Sequence, residues 1–188
     1  MTDQLFLDDL VVGQRFVSAA REVSAAEITE FAARYDPQPF HLDDAAAMGT
    51  LFAGLAASGW HTAAMTMRMV IASVPMAGGI IGSGGELTWP KPTRPGDTLH
   101  VETEVLEITP SRSRPERGMV VVRCTTLNQH GEAVQTFTPK LVVPRRMKAD
   151  VPRAPTSDAP HPVDRDGAAR DGAARDVADR DVVRGEAS

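Results

Sequence analysis

The segment between Trp60 and Val74 constrains the fold more than any other part of this sequence. Its residues, WHTAAMTMRMVIASV, are apolar on every side of a helix, and Pro75 follows directly and ends it. A helix that is apolar all round is stable only where other protein elements surround it. The apolar window is interrupted by Arg68 and falls short of the ~20 residues that span a bilayer. We therefore expect a long buried helix inside a folded domain.

The elements that enclose this helix are predicted by a change in the spacing of apolar residues after Gly79. From there on, apolar and polar residues tend to alternate, as they do in strands with one buried face. The segments with this pattern are Glu86–Trp89, Thr98–Leu106, Met119–Leu127 and Ala133–Val143, and a shorter β-permissive segment, Gln14–Val23, comes earlier. The order of elements therefore predicts an α+β fold, in which an antiparallel sheet of about five strands lies beside the central helix.

Two shorter helices are predicted before the central one. Ser24 and Glu27 have the spacing of a capping box, which starts a helix that we expect to run to about Arg34. The prolines at positions 37 and 39 stop it, because each proline disfavours helical geometry in the residue before it. A second short helix is predicted over Asp43–Met48.

Composition changes sharply after Arg146. From Met147 to Ser188 the sequence contains no Leu, Ile, Phe, Trp or Tyr, and it carries the near-repeat RDGAARDGAARDVADRD. Such a segment cannot bury enough apolar surface to offset the entropy that it would lose on ordering. We therefore expect one folded domain over residues 1–146 and a disordered charged tail over residues 147–188.

Charge balance and cysteine content argue against several classes of protein. Lys and Arg number 20 against 25 Asp and Glu, a formal charge of −5, whereas nucleic-acid and membrane-surface binders need a dense basic face. The single cysteine, Cys124, cannot form an intramolecular disulfide, and the start, MTDQLFLDDL, lacks the features of a signal peptide. We expect a cytoplasmic protein that binds neither nucleic acid nor membrane, with Cys124 packed in an apolar strand.

The candidate catalytic residues lie between the first two predicted helices. Asp36 and His41 are five positions apart, and two prolines between them stiffen the link. A carboxylate and an imidazole held in a fixed geometry can act as a general acid/base pair. The alternative is structural, with Asp36 as an ordinary turn residue and His41 packed in the core.

Two motifs resemble those of the MaoC-like dehydratases, whose best-known members are the (R)-specific enoyl-CoA hydratases. The first is Asp-x-x-Pro-x-His-x-Asp at positions 36–43, followed by a glycine-rich entry to the central helix, Ser58-Gly59-Trp60-His61. The second is LTWPKPTRPGDTL at positions 87–99, which resembles their strand, proline turn and Pro-Gly-Asp strand entry. The resemblance covers about Leu7 to Val143. It implies a single hotdog fold, with the sheet wrapped around the central helix, and usually a homodimer.

The resemblance also implies a reaction, the hydration of a trans-2-enoyl-CoA to the (R)-3-hydroxyacyl-CoA. Asp36 would take a proton from water, and His41 would orient that water and protonate the α-carbon of the acyl-CoA. Amides around Gly59, at the start of the central helix, would stabilise the enolate oxygen, and Ser58 would hydrogen-bond to His41. This chemistry requires no metal and no other cofactor.

Further residues are weaker candidates for contact with the substrate. Gln38 stands where these hydratases usually have asparagine, so it keeps the amide on a longer side chain. Trp60 either narrows an acyl pocket or fills the core, and His61 beside it is expected to pack. Lys91 and Arg94 could contact the phosphates of CoA, and the arginines at positions 112, 114 and 117 are equal contenders for that role.

Two other functions are compatible with the same architecture. Hotdog thioesterases commonly use a carboxylate on the central helix, but the sequence has no Asp or Glu between Gly59 and Val74, which favours hydration. The non-enzymatic alternative is a hotdog subunit that binds acyl thioesters without turning them over, with residues 147–188 as an interaction arm.

Overall fold

The apolar segment forms the longest helix of the computed structural model, which describes residues 4–146. The helices are α1 (Ala25–Tyr35), α2 (Pro39–Leu42), α3 (Asp44–Ala47) and α4 (Gly59–Ser73), and a 3-10 turn spans Leu7–Asp9. The strands are β1 (Arg15–Val17), β2 (Arg21–Glu22), β3 (Ile81–Thr88), β4 (Thr98–Pro110), β5 (Arg117–Leu127) and β6 (Ala133–Pro144). The tail predicted for residues 147–188 lies outside the described residues.

The strands form one antiparallel sheet in the order β1-β4-β5-β6-β3, and β2 also pairs with β4. The predicted α+β fold is confirmed, with six strands because the Gln14–Val23 segment forms two short ones, β1 and β2. Ser18 lies between them: its amide donates to the Val101 carbonyl, and its hydroxyl accepts from the Val101 amide, both at 2.9 Å. Between β1 and β2, the Ser18 hydroxyl thus takes the place of a backbone carbonyl as the acceptor for the Val101 amide.

Strand β3 is longer than its sequence pattern predicts, because it begins at Ile81 rather than Glu86. The glycines at positions 82, 84 and 85 are poor strand formers, and the pairing with β6 shifts register there. Gly85 approaches its neighbour so closely that a Cβ atom would lie 2.7 Å from the Cα of Pro139. The glycine run therefore permits a strand that alternation alone does not reveal.

The core lies between α4 and the sheet, and α1 packs beside α4. Its largest fully buried apolar side chains are Val23, Ile28, Leu99, Val101, Val105, Val120, Val122 and Val134. The expectation that protein surrounds α4 on all sides is met on one face only, because Trp60 and Ile71 are 63% and 59% exposed. Across residues 4–146, no helix is both long and apolar enough to cross a membrane.

The corner between α1 and α2 determines where the candidate catalytic residues lie. The predicted stop after α1 is confirmed, since the helix ends at Tyr35 with Asp36 as its C-cap. Pro39, however, is the first residue of α2, a position where a proline's missing N–H costs nothing. This additional helical turn, which the sequence did not predict, turns His41 back towards Asp36.

Candidate active site

The structure brings Asp36 and His41 together at the corner between α1 and α2. The Nε2 atom of His41 lies 3.5 Å from Oδ2 of Asp36. The His41 side chain is only 5% exposed, whereas that of Asp36 is 19% exposed. A buried imidazole therefore faces a carboxylate that retains some access to solvent.

The other ring nitrogen of His41 fixes the tautomer of the neutral ring. Nδ1 lies 2.7 Å from the carbonyl oxygen of Ala56, and because a carbonyl only accepts hydrogen bonds, Nδ1 carries a hydrogen. The rings of Phe40 and Phe52 pack against the imidazole, with centroids 4.5 and 5.7 Å away. The second nitrogen, Nε2, is thus left to exchange a proton on the side of Asp36.

Two side chains hold the carboxylate of Asp36. The Ser58 hydroxyl donates to Oδ2, and the Gln38 amide donates to Oδ1, each at 2.7 Å. Burial raises the pKa of Asp36, but these hydrogen bonds and the electrostatic effect of the neighbouring His41 together outweigh burial and hold its pKa below the ordinary value. Asp36 is therefore ionised at neutral pH.

The first turn of α4 faces the same region. Ser58 is its N-cap, and its Oγ accepts from the Trp60 amide at 3.2 Å. The Gly59 amide has no hydrogen-bond partner among residues 4–146, so it is available to an anion at the positive end of the helix. A Cβ on Gly59 would lie 2.8 Å from the Trp89 ring, so only glycine fits here without displacing the indole.

A cleft of about 400 Å³ reaches His41 and Gly59, whereas Asp36 lies behind His41 and is not among the residues that line it. It is lined by His41, Leu51, Phe52, Ala57, Gly59, Thr62, Trp89, Pro90, Lys91, Pro92 and Thr93. One wall therefore carries the imidazole, another carries the free end of α4, and the remaining lining is largely apolar. This combination suits a substrate with a polar reacting group on an apolar chain.

Several sequence-predicted residues lie elsewhere than expected. Ser58 donates to Asp36 and not to His41. Gln38 is exposed and positions Asp36 from outside the cleft. Trp60 does not fill the core, because α4 turns it outwards, where its ring meets Trp89 edge-on with centroids 5.5 Å apart. His61 packs as predicted, stacked on a phenylalanine of α1 with ring centroids 4.6 Å apart.

Lys91 and Arg94, two of the basic candidates, differ in what they contact. Lys91 lines the cleft and forms an exposed salt bridge with Glu132. The guanidinium of Arg94 instead donates to three backbone carbonyls, those of Phe52, Gly54 and Leu55. Arg94 is therefore committed to fastening that loop, and we withdraw it as a candidate for binding CoA phosphates.

Sequence reasoning missed the part that Trp89 plays in the site. It predicted Trp89 only as the end of a strand, but the residue packs on Gly59 and lines the cleft. The one signal available was its place directly before the proline turn of the second motif. Among residues 4–146, no cluster of three or more His, Cys, Asp or Glu could hold a metal ion.

Comparison with known proteins identifies a family. Residues 10–127 match the MaoC like domain family. A 3-hydroxybutyryl-CoA dehydratase from Methylorubrum extorquens is 29% identical over 147 residues, which cover 78% of this chain and 88% of that protein.

Solved structures agree with this match. The MaoC-like dehydratase from Rhodospirillum rubrum is 62% identical, with a TM-score of 0.75 over 77% of this chain and 99% of that one. The unliganded R-hydratase PhaJ1 from Pseudomonas aeruginosa is 28% identical, with a TM-score of 0.62 over 80% of this chain and 95% of that one. The architecture and these neighbours confirm the predicted hotdog fold.

Proposed function

The chain belongs to the MaoC-like domain family, and on this premise we propose that it adds water to trans-2-enoyl-CoA thioesters to give (R)-3-hydroxyacyl-CoA. One observation carries the proposal: Asp36 and His41 lie 3.5 Å apart beside a cleft that also receives the unpartnered Gly59 amide. A base, an acid and an oxyanion donor are the groups that hydration of a conjugated thioester needs. The named relatives that act on acyl-CoA or as R-hydratases support this choice.

In the proposed reaction, Asp36 starts as the carboxylate, and His41 has to carry a proton on Nε2 as well as on Nδ1. A water molecule bound between Oδ2 and Nε2 loses a proton to Asp36 as its oxygen forms a bond to the β-carbon. The electron pair of the C=C bond moves towards the thioester carbonyl, and His41 donates its Nε2 proton to the α-carbon. The product then contains the hydroxyl group of the water and the proton from His41, and the proton that Asp36 took passes to His41, which restores both groups.

The developing enolate oxygen accepts a hydrogen bond from the Gly59 amide. The partial positive charge at the start of α4 favours this oxygen more as its negative charge grows. The donor therefore acts most strongly in the transition state, which is where an interaction accelerates a reaction.

We test the function with purified protein and crotonyl-CoA, following the loss of the enone absorbance. In the same reactions, a thiol reagent measures free CoA, which a thioesterase would release. The proposal expects loss of the enone without release of thiol. Thiol release with the enone intact would favour a hotdog thioesterase, and binding without either change would favour a non-catalytic acyl-thioester-binding subunit.

We further propose that the protein is a homodimer. Within residues 4–146, strand β3 pairs only with β6 and its other edge is open, and exposed edges of this kind are normally covered. Trp60, Met67 and Ile71 form an exposed apolar stripe along α4. A second copy placed about a two-fold axis would cover both features. Light scattering should give twice the 20.1 kDa mass of the chain, and a monomeric mass would refute this assembly.

A further inference from the structure

A second, larger space lies along α4 next to the cleft. It is a groove of about 480 Å³, mostly apolar, between α4 and strands β3, β5 and β6. Thr62 of α4 lines the cleft, and Thr66, one turn further along the same face, lines the groove. Trp60 and Ala63, which follow the cleft residues Gly59 and Thr62 in the sequence, also line the groove, so the two spaces lie side by side at the start of α4 and the groove continues along the helix.

The indole of Trp89 stands between the two spaces. On the cleft side it covers Gly59, where a Cβ would be 2.8 Å from the ring. On the other side it meets the ring of Trp60, which lines the groove, with centroids 5.5 Å apart. An acyl chain that starts at the Gly59 amide and runs along α4 meets this ring before it reaches the groove.

Gln135 holds the indole in that position. The Trp89 Nε1–H donates to Oε1 of Gln135 at 2.9 Å. Gln135 is completely buried, and its Nε2 has no hydrogen-bond partner among residues 4–146. Burying an amide with one end unpaired is unfavourable. Among residues 4–146, the hydrogen bond from Trp89 is the contact that explains why a buried glutamine occupies this position.

We propose that Trp89 is a specificity-determining residue that closes the cleft to long acyl chains and limits the substrate to short-chain enoyl thioesters. This inference rests on the proposed function, because it concerns the acyl group that the same cleft receives. Gln135 acts through Trp89 and is a positioning residue. The groove beyond the indole, which the second copy of the proposed homodimer would cover along Trp60 and Met67, becomes available to an acyl chain only when the ring is removed or displaced.

The test compares crotonyl-CoA with trans-2-decenoyl-CoA in the full chain and in Trp89→Ala. The wild type is expected to prefer crotonyl-CoA in kcat/KM, and Trp89→Ala should raise the decenoyl-to-crotonyl ratio by at least about tenfold, the discrimination that a single methylene can carry. Trp89→Phe, which keeps a ring but lacks the N–H, and Gln135→Met, which lacks the acceptor, should raise the ratio less. Val17→Ala, on the exposed surface of β1, is the control.

A binding measurement separates this inference from the proposed function. Calorimetry with butyryl-CoA and decanoyl-CoA, which cannot be hydrated, should show the same change of preference in Trp89→Ala. If the wild type does not hydrate crotonyl-CoA but Trp89→Ala still changes the binding preference, the proposed function is refuted and the role of Trp89 in excluding long acyl chains is supported. A wild type that uses both chain lengths equally would overturn the inference. So would ratios in Trp89→Ala, Trp89→Phe and Gln135→Met that all match Val17→Ala.

Discussion

His41 and His61 are both buried, yet their surroundings differ in ways that bear on function. His41 has a partner at each ring nitrogen, the carbonyl of Ala56 and the carboxylate of Asp36. His61 stacks on Phe31, and its Nδ1 has no hydrogen-bond partner among residues 4–146. A buried histidine can therefore be poised for proton transfer or can serve as packing material, and the partners of its nitrogens distinguish the two cases.

The sharpest test of this difference is removal of the two proposed catalytic side chains, those of Asp36 and His41. Asp36→Asn and His41→Ala should each lower kcat/KM for crotonyl-CoA by ~10²–10⁴-fold, because each removes a positioned acid/base group. His61→Leu should stay within about twofold of wild type. Circular dichroism checks that each variant is folded. Wild-type rates in folded Asp36→Asn and His41→Ala would show that the pair has no catalytic role.

A smaller effect is expected from the side chain that holds Asp36. Ser58→Ala removes a hydrogen bond to a charged group and should cost about tenfold in kcat/KM, as well as about 1 kcal/mol of stability through the lost N-cap. Since this bond lowers the pKa of Asp36, the acid limb of the pH–rate profile should move to higher pH. Ser73→Ala, at the other end of α4, is the matched control, and an equal shift there would contradict the assignment.

We expect His61 to affect the pH dependence of the protein's stability and not the rate of hydration. Burial lowers the pKa of His61, Glu27 opposes this by raising the pKa, and Arg21 lowers it further. The unfolded chain therefore binds this proton at a higher pH than the folded chain does, so the folded state loses stability as pH falls below about 6.5. Urea unfolding at pH 7.5 and 5.5 should show a smaller loss for His61→Leu than for wild type. An identical loss in both would mean that His61 does not titrate as inferred.

The smallest effect is expected from removing residues 147–188. The absence of large apolar residues beyond Arg146 indicates that the folded domain is complete there. The surroundings of His41 and His61 should therefore be the same without residues 147–188. A chain ending at Arg146 should keep its melting temperature within about 2 °C and its kcat/KM within about twofold. A larger fall would show that the segment packs on the domain.

The pair itself was predictable because its residues are close in sequence. The spacing and prolines of the motif lead to Asp36 and His41, and the structure places them as neighbours. The partners of the pair were not predictable in the same way. Ser58 lies 22 positions from Asp36 and reaches it only because α4 docks beside α1. The sequence drew attention to Ser58 but paired it with His41, since nothing local fixes which atom it meets.

The exposure of Trp60 and the role of Arg94 were missed for related reasons. A helix that is apolar on every side carries no period to say which face meets the sheet, so the outward position of Trp60 follows from tertiary packing alone. An arginine in a proline turn looks free to bind phosphate. Its commitment to the carbonyls of Phe52, Gly54 and Leu55 depends on a loop about 40 positions away.

The hydrogen bonds of Arg94 have a consequence for how the site unfolds locally. The loop that Arg94 fastens leads directly to Ala56, whose carbonyl sets the tautomer of His41, and the next amide, that of Ala57, donates to Thr93. Loop and turn therefore form one cooperative opening unit, whose amides should exchange with solvent together and sooner than those of the central strands. Mild denaturant would then abolish proton transfer by releasing the imidazole while the sheet is still folded, so inactivation precedes global unfolding.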